Sequence, residues 1–180
     1  MSLSDEALVA RVVATGEQHA FATLVRRHQS AVRALLRRLT AGDDALADDL
    51  AQETFMRAYQ NLDRFRGDAK LSSWLYRIAY NLFLSHARKK SSQELALEEG
   101  QDASVIPDAS SLARHDLNQA FGVLKPEERA ALALTYAQDM DHKEAASALG
   151  MPLGTLKTHV RRGKDKLRKR LGAWQNQGVA

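Results

Sequence analysis

The residues best suited to chemistry lie near the C-terminus, where eight Lys or Arg residues and one acid fall between Lys157 and Arg170. Ammonium and guanidinium groups bind phosphates, and arginine also pairs with the guanine edge in the major groove of DNA. A solvated amphipathic helix that ends a bundle would carry the same charge. The apolar residues around the basic ones distinguish these two interpretations.

Those apolar residues predict that the basic run forms the second helix of a helix-turn-helix. Gly150 is placed as the C-cap of the first helix, and Pro152 is placed at the start of the second. The apolar stripe of the second helix, at 100° per residue, is Leu156, Val160, Gly163, Leu167 and Leu171. The opposite arc is Gly154, Lys157, Thr158, Arg161, Arg162 and Asp165. One face therefore belongs to a core, and the other is suited to the major groove of DNA.

Two groups of residues on this helix are predicted to do different work. The group near the N-terminal end, which enters the groove first, should read bases: Lys157, Thr158, Arg161 and Arg162. The second group, further along or in the first turn, should meet phosphates and position the domain: Thr155, Lys164, Arg168, Lys169 and Arg170.

Other chemistry finds little support in the sequence. There is no cysteine, and the six histidines are scattered with no pair at helical spacing. The only carboxylate cluster is Asp43, Asp44, Asp48 and Asp49, which at these spacings is typical of acids at a helix N-terminus. We therefore expect no catalytic residue, no metal site and no cofactor, and we expect that the protein is not an enzyme.

The charge divides the chain into two basic blocks and an acidic spacer. Residues 1–90 carry 14 basic and 10 acidic residues, residues 91–111 carry none and 5, and residues 112–180 carry 12 and 7. The spacer lacks apolar periodicity and is rich in Ser, Glu, Asp and Gln, which indicates a flexible linker. The sequence predicts an all-α fold: two small helical domains, residues 1–90 and 112–180, joined by this acidic linker.

The helices of each block follow from their periodicity and caps. Ser4 is a candidate N-cap, Gly42 breaks the chain before the third helix, and Ser72 or Ser73 is the expected cap of the fourth. The third helix should bury Ala47, Ala51, Phe55, Ala58 and Leu62. The outward arc of the fourth should contain Arg77, Tyr80, Asn81, Leu84 and Arg88. In the second block we expect helices at about 112–123, 126–137, 141–149 and 153–172.

The N-terminus has no basic stretch followed by an apolar one, so it does not look like a secretion signal. No apolar stretch is long enough to span a bilayer. We expect a cytoplasmic protein with no membrane insertion.

The stretch "LKPEERAALALTYAQDMDHKEAASALGMPLGTLKTHVRRGKDKLRKRL" resembles region 4 of bacterial sigma factors, which reads the −35 promoter element. The resemblance rests on L-x-P-x-x-R, then E-x-A-x-x-L-G, then G-T-hydrophobic-K-T/S. A LuxR-type output domain is similar to "GTLKTHV" almost as closely. This block alone leaves both families open.

The stretch "DDLAQETFMRAYQNLDRF" resembles sigma region 2, where D-D/x-L-x-Q-E-x-F marks the helix that docks on the β′ clamp helices of RNA polymerase. The polar face opposite the buried stripe has one soft apolar group, which suits a protein partner. The resemblance implies that the residues that bind core polymerase are Asp49, Gln52, Glu53, Met56, Arg57 and Gln60.

The segment "WLYRIAYN" resembles the sigma segment that reads and melts the −10 element, and the preceding loop "DRFRGDAKLSS" corresponds to the one that holds a flipped base. Aromatic rings next to arginine provide stacking surfaces for unpaired bases. The resemblance implies that the −10 residues are Arg64, Arg66, Lys70, Trp74, Arg77, Tyr80, Asn81 and Arg88.

Two blocks with a short linker match the layout of the extracytoplasmic-function group of sigma factors. The resemblance implies a transcription initiation factor whose partners are RNA polymerase core (β′ clamp helices and β flap), promoter DNA and an anti-sigma factor. It also implies that the acidic linker threads the polymerase channel, with an ordinary solubilising linker as the alternative.

Three rival classes are weaker. A LuxR-like regulator acting without core polymerase needs a βα receiver or ligand domain, and residues 1–90 show no strand-like alternation. An enzyme acting on nucleic acid needs a carboxylate cluster that binds metal. A protein-interaction module, such as an antagonist of sigma factors, would not need the basic helix.

Overall fold

The computed structural model describes residues 3–96 and 121–177. Within these ranges every regular element is helical, and no strand is present. The helices are α1 (Asp5–Thr15), α2 (Gln18–Leu39), α3 (Asp44–Gln60), α4 (Leu71–Ala96), α5 (Pro126–Leu132), α6 (His142–Leu149) and α7 (Leu153–Gln177). A 3-10 turn spans Leu62–Arg64, and a π turn, Ala133–Ala137, continues α5. The all-α prediction is confirmed. Residues 112–120 of the helix expected at about 112–123, and the linker from residue 97 onward, lie outside the described residues.

The N-terminal domain comprises α1 to α4. Ser4 Oγ accepts a hydrogen bond from the Ala7 N–H at 3.3 Å, so the predicted N-cap is confirmed. The carboxylate of Asp5 ties α1 to α2 through Arg27 Nη1 at 2.8 Å and His28 Nε2 at 2.7 Å. The fully buried residues of α2 and α3 form the centre of the core: Val32, Leu35, Leu36, Leu39, Ala47, Thr54 and Ala58.

The start of α4 differs from the prediction. Ser72 and Ser73 are not N-caps, because the helix already begins at Leu71. Leu71 is 4% exposed and Ser73 is 6% exposed. Because this first turn is buried, the helix already includes Ser72 and Ser73. At its other end α4 continues to Ala96, beyond the residue 90 at which the sequence placed the start of the linker.

The C-terminal domain, α5 to α7, contains the predicted helix-turn-helix. Asp141 caps α6 by accepting hydrogen bonds from the N–H groups of Lys143 and Glu144, and the Glu144 carboxylate reaches back to the Asp141 N–H. Gly150 ends α6 in the left-handed conformation at φ 66°, where a side chain would be strained. Pro152 immediately precedes α7. The predicted turn is therefore confirmed.

The recognition helix α7 is fixed against α5 by close packing and one buried charge. Leu156 and Val160 are buried on its inner face. At Gly163 an added Cβ would lie only 2.8 Å from Leu132 Cδ1, so α7 approaches α5 closely at this glycine. Lys166 Nζ pairs with the Glu128 carboxylate, which is almost fully buried, at 2.7 Å.

The two domains pack against each other. Helix α4 contacts α6, and α2 contacts both α5 and the π turn that follows it. The C-terminal domain therefore covers one side of the N-terminal domain. None of the helices over the described residues is long and apolar enough to cross a membrane.

Candidate polymerase and nucleic-acid interfaces

The outer face of α7 presents the residues that the sequence assigned to DNA. Lys157, Arg161 and Arg162 are exposed, and none of them has a polar partner within the described part of the chain. Thr158 is half-buried, and its hydroxyl donates to the Gly154 carbonyl at 2.9 Å. Helix α7 therefore presents three unpaired cations in its first three turns, on the side opposite Leu156 and Val160.

The residues assigned to phosphates continue this face towards the C-terminal end. Thr155 and Lys169 are exposed. Arg168 pairs with Asp165 at 3.0 Å, and Lys164 Nζ lies 5.5 Å from the centre of the Tyr136 ring. These two contacts orient the side chains of Arg168 and Lys164 but leave both exposed to solvent. This arrangement suits the binding of a polyanion along one side of α7.

A cleft lies between the loop after α3 and the start of α4. Its volume is about 350 Å³, and it is lined by Arg64, Arg66, Arg77 and the paired rings of Phe65 and Trp74. The two rings are tilted by 54° with centroids 5.5 Å apart. The three guanidinium groups have no polar partner among the described residues. The cleft therefore combines stacking surfaces with free cations, as a site for unpaired nucleotides requires.

Tyr80 does not lie where the sequence placed it. It was predicted on the outward arc of α4, but it is 3% exposed. Burial, followed by the nearby charge of Glu127, raises the pKa of Tyr80 to about 12. Glu127 belongs to α5, so a charge of the C-terminal domain lies near this turn of α4. Periodicity within α4 could not show the packing of α6 against it, because α6 is distant in the sequence.

The other residues assigned to the −10 element have mixed surroundings. Asn81 and Arg88 are exposed, with Arg88 Nε donating to the Leu84 carbonyl at 3.3 Å. Lys70 Nζ pairs with Glu144 Oε1 at 2.8 Å, and this bond raises the pKa of Lys70. Glu144 is a residue of α6, so Lys70 is held by the C-terminal domain.

The outer face of α3 presents the residues that the sequence assigned to core polymerase. Asp49, Gln52 and Gln60 are exposed, and Met56 is 62% exposed. Glu53 is half-buried and pairs with Arg57 at 2.6 Å. A methionine left this exposed among polar residues is suited to a protein partner, because its flexible side chain adapts to an apolar surface.

The structure adds residues to this face that the sequence did not assign to it. Met56 lies on the edge of a groove between α2 and α3 with a volume of about 570 Å³. Phe21 and Val25 of α2 line it, and Phe21 packs edge-on against Tyr59 with ring centroids 4.8 Å apart. Phe21 and Val25 belong to the apolar residues of α2, but both are only half-buried. They therefore line the groove instead of filling the core.

The acidic cluster at the start of α3 has structural roles. Asp43 caps α3 by accepting from the Leu46 N–H at 3.0 Å, and Asp44 pairs with Arg37 at 3.1 Å. Over the described ranges, no three His, Asp or Glu side chains converge as metal ligands would. The cluster thus behaves as helix-terminal acids do.

Two family models match the chain. The model for Sigma-70 region 2 matches residues 24–93, and the model for Sigma-70 region 4 matches residues 114–167. Among curated relatives, the ECF RNA polymerase sigma factor SigW of Bacillus subtilis (strain 168) is 34% identical, over 88% of this chain and 92% of the relative. The ECF RNA polymerase sigma-E factor of Escherichia coli (strain K12) is 31% identical, over 92% and 93%.

Solved structures agree with these matches. The sigma factor RpoE of Bartonella quintana, solved with the anti-sigma factor NepR, is 28% identical with a TM-score of 0.74, over 84% of this chain and 96% of that one. CnrH, solved with the cytosolic domain of CnrY, is 28% identical with a TM-score of 0.73, over 94% and 97%.

The fold, the helix-turn-helix and the family matches define a transcription initiation factor that works with RNA polymerase and is not an enzyme. The chain belongs to the extracytoplasmic-function (ECF) sigma factors. The predicted family is therefore confirmed, and the LuxR-like alternative is not favoured.

Proposed function

We propose that this chain divides promoter recognition among three surfaces. The α2–α3 groove binds RNA polymerase core, the cleft beside α4 takes the unpaired −10 strand, and the outer face of α7 reads the −35 duplex. The two functional domains are residues 1–90, which bind core and the −10 strand, and residues 112–180, which bind the −35 duplex. The observation that carries the proposal is the separation of an apolar groove from two arginine-rich surfaces on one small chain.

The core-binding surface includes both helices of the groove. Met56, Phe21 and Tyr59 supply apolar contact area, and Gln52 and Glu53 supply polar contacts at its rim. Interfaces of this composition bind through a few apolar anchors surrounded by polar groups. The β′ clamp helices are the partner surface that the family resemblance implies, and the β flap is the partner implied for the C-terminal domain.

A charge placed in the groove tests this assignment. Met56→Glu puts a carboxylate among apolar side chains, so its affinity for core should fall by at least about tenfold. Val13→Glu is the matched control, because Val13 is 50% exposed on α1, away from the groove. Competition for core against the parent chain is the measurement. Equal competition by both variants would show that the groove does not bind core.

We also propose that an anti-sigma factor regulates this chain and that the chain acts in the cytoplasm. The support is the RpoE relative solved with NepR and the absence of a membrane-spanning helix over the described residues. Isolation of the tagged chain from uninduced cells should recover a second small protein in stoichiometric amount. Recovery of the chain alone would count against this regulation.

A further inference from the structure

Tyr136 is an exposed aromatic side chain beside the basic face of α7. It is 60% exposed, and its hydroxyl has no polar partner among the described residues. Lys164 Nζ lies 5.5 Å from the centre of its ring, which is within the range of a cation–π contact. The sequence assigned no role to Tyr136, because it precedes the helix-turn-helix and lies outside the basic run.

The backbone around Tyr136 is fixed by the π turn that continues α5. The N–H of Gln138 donates to the Ala133 carbonyl at 3.1 Å. The N–H of Met140 donates to the Leu134 carbonyl at the same distance, 3.1 Å. Leu134 is fully buried and Met140 is 7% exposed, so the turn is anchored in the core on both sides of Tyr136. Turns of this kind are frequent at functional sites. The local fold therefore holds the tyrosine outward.

Helical geometry places Lys164 on the same side of α7 as Lys157. The two lysines are seven residues apart, and at about 100° per residue they point within about 20° of each other. At about 1.5 Å per residue they leave the helix about 10 Å apart along its axis. The major groove is about 12 Å wide. A helix that places Lys157 against the base edges therefore brings Lys164 and Tyr136 to the phosphates at the rim of the groove.

The surroundings of Tyr136 favour a phosphate over a protein surface. Within the described part of the C-terminal domain, the other exposed large apolar side chain is Val123, which precedes α5 at its opposite end. The two side chains therefore do not form one apolar patch. Met56 differs in this respect, because it lies on the edge of an apolar groove. A single phenol beside the ammonium group of Lys164 is suited to an anion.

We propose that Tyr136 belongs to the −35 interface, where its hydroxyl donates a hydrogen bond to a backbone phosphate and its ring holds Lys164 towards a neighbouring phosphate. This inference deepens the proposed function and rests on the assignment of α7 to the −35 duplex. Tyrosine hydroxyls donate to phosphate oxygens, and such contacts position a protein on DNA without reading its sequence. The phenol carries no charge, so its contact should release no counterion.

Two substitutions separate the hydroxyl of Tyr136 from its ring. Tyr136→Phe keeps the ring contact with Lys164, whereas Tyr136→Ala removes both groups. On the full chain, Tyr136→Phe should weaken binding of a −35 duplex selected by run-off transcription about three- to tenfold, equally for all sequences. The salt slope should stay unchanged, whereas Lys164→Ala should reduce it by about one unit. Tyr136→Ala should lose more affinity than Tyr136→Phe, because Lys164 is no longer held.

The matched control makes the same chemical change on another helix. Tyr59 is 43% exposed on α3, so Tyr59→Phe removes an exposed hydroxyl away from α7. It should change binding of the −35 duplex by less than about twofold. Circular dichroism establishes that all variants keep their helicity.

Replacing single phosphates of the duplex by methylphosphonates locates the contact. At one position the parent chain should lose more affinity than Tyr136→Phe does, because the variant has no hydroxyl bond left to lose. If Tyr136→Phe binds the unmodified duplex as well as the parent does, or if no position distinguishes the two chains, the proposal is overturned.

Arg161→Ala, measured on the same duplexes, separates this inference from the proposed function. If it weakens binding while both Tyr136 variants bind as the parent does, α7 binds DNA and Tyr136 does not. If the Tyr136 variants lower run-off transcription by core polymerase with duplex binding unchanged, Tyr136 contacts the polymerase, which also overturns the proposal. If no variant, including Arg161→Ala, changes duplex binding, the assignment of α7 fails, and the contact proposed for Tyr136 fails with it.

Discussion

The guanidinium of Arg129 in the C-terminal domain donates a hydrogen bond from Nη1 to the main-chain oxygen of Leu39, the last residue of α2, at 2.6 Å. The same side chain donates to the carbonyls of Leu124 at 3.2 Å and Gly122 at 3.5 Å. Carbonyls in the last turn of a helix have no partner within the helix, so Arg129 satisfies one across the domain boundary. Burial lowers the pKa of Arg129.

Arg129→Lys should destabilise the chain by about 1–3 kcal/mol, because an ammonium group cannot reach three carbonyls at once and leaves partly buried acceptors unpaired. Urea unfolding followed by circular dichroism measures the change. Arg66→Lys is the control: Arg66 is exposed and has no polar partner among the described residues, so its substitution should be close to neutral. Equal stabilities of the two variants would contradict the role of Arg129.

Base reading by α7 predicts a contrast between two kinds of variant. Arg161→Ala or Arg162→Ala should cost roughly 1–3 kcal/mol on the cognate −35 duplex and relax the preference at one or two base pairs. Lys169→Ala should weaken all sequences about equally and reduce the salt slope by about one unit. Titration of duplex variants at several salt concentrations measures both effects. If the arginine variants lose affinity uniformly, α7 does not read bases through them.

Two glycines of α7 make a matched pair for the packing of the recognition helix. Alanine at Gly154 meets nothing within 4 Å, whereas at Gly163 it meets Leu132 Cδ1 at 2.8 Å. Alanine favours a helix by up to about 1 kcal/mol at either site, but overpacking opposes this at Gly163. We expect Gly163→Ala to be less stable than Gly154→Ala by about 1–3 kcal/mol in urea unfolding. The reverse order would show that α7 does not pack closely on α5.

The Glu128–Lys166 pair predicts a dependence on acid pH. Burial raises the pKa of Glu128, but the hydrogen bonds from Lys166 Nζ and the Lys125 N–H outweigh it, so the folded pKa lies below the ordinary value. The stability from this pair is therefore present above the ordinary pKa of a glutamate and is lost as the pH falls through the folded pKa. At neutral pH Glu128→Gln should cost roughly 1–3 kcal/mol. Thermal unfolding across the acid range should show this difference shrinking, and a constant difference would contradict the account.

The features that the sequence predicted correctly are those that depend on residues nearby in the chain. Ser4 as a cap, the Gly150 turn and the buried face of Leu156 all follow from local chemistry and helical period. What it missed depends on distant segments. Tyr80 is buried on a helix that α6 of the second domain contacts, and Phe21 becomes a groove residue only when α3 packs beside α2. Periodicity identifies an apolar face, but it does not say how completely a neighbour covers that face.

The most direct test of the central claim is run-off transcription with the purified chain, RNA polymerase core and a library of promoters. The account predicts transcripts that require both proteins, from templates that share −10 and −35 sequences, and a marked loss with Met56→Glu but not with Val13→Glu. Transcription no greater than that of core alone would contradict it. So would tight, sequence-specific binding of the isolated chain to a single duplex site with no effect of core, because that result describes a stand-alone regulator.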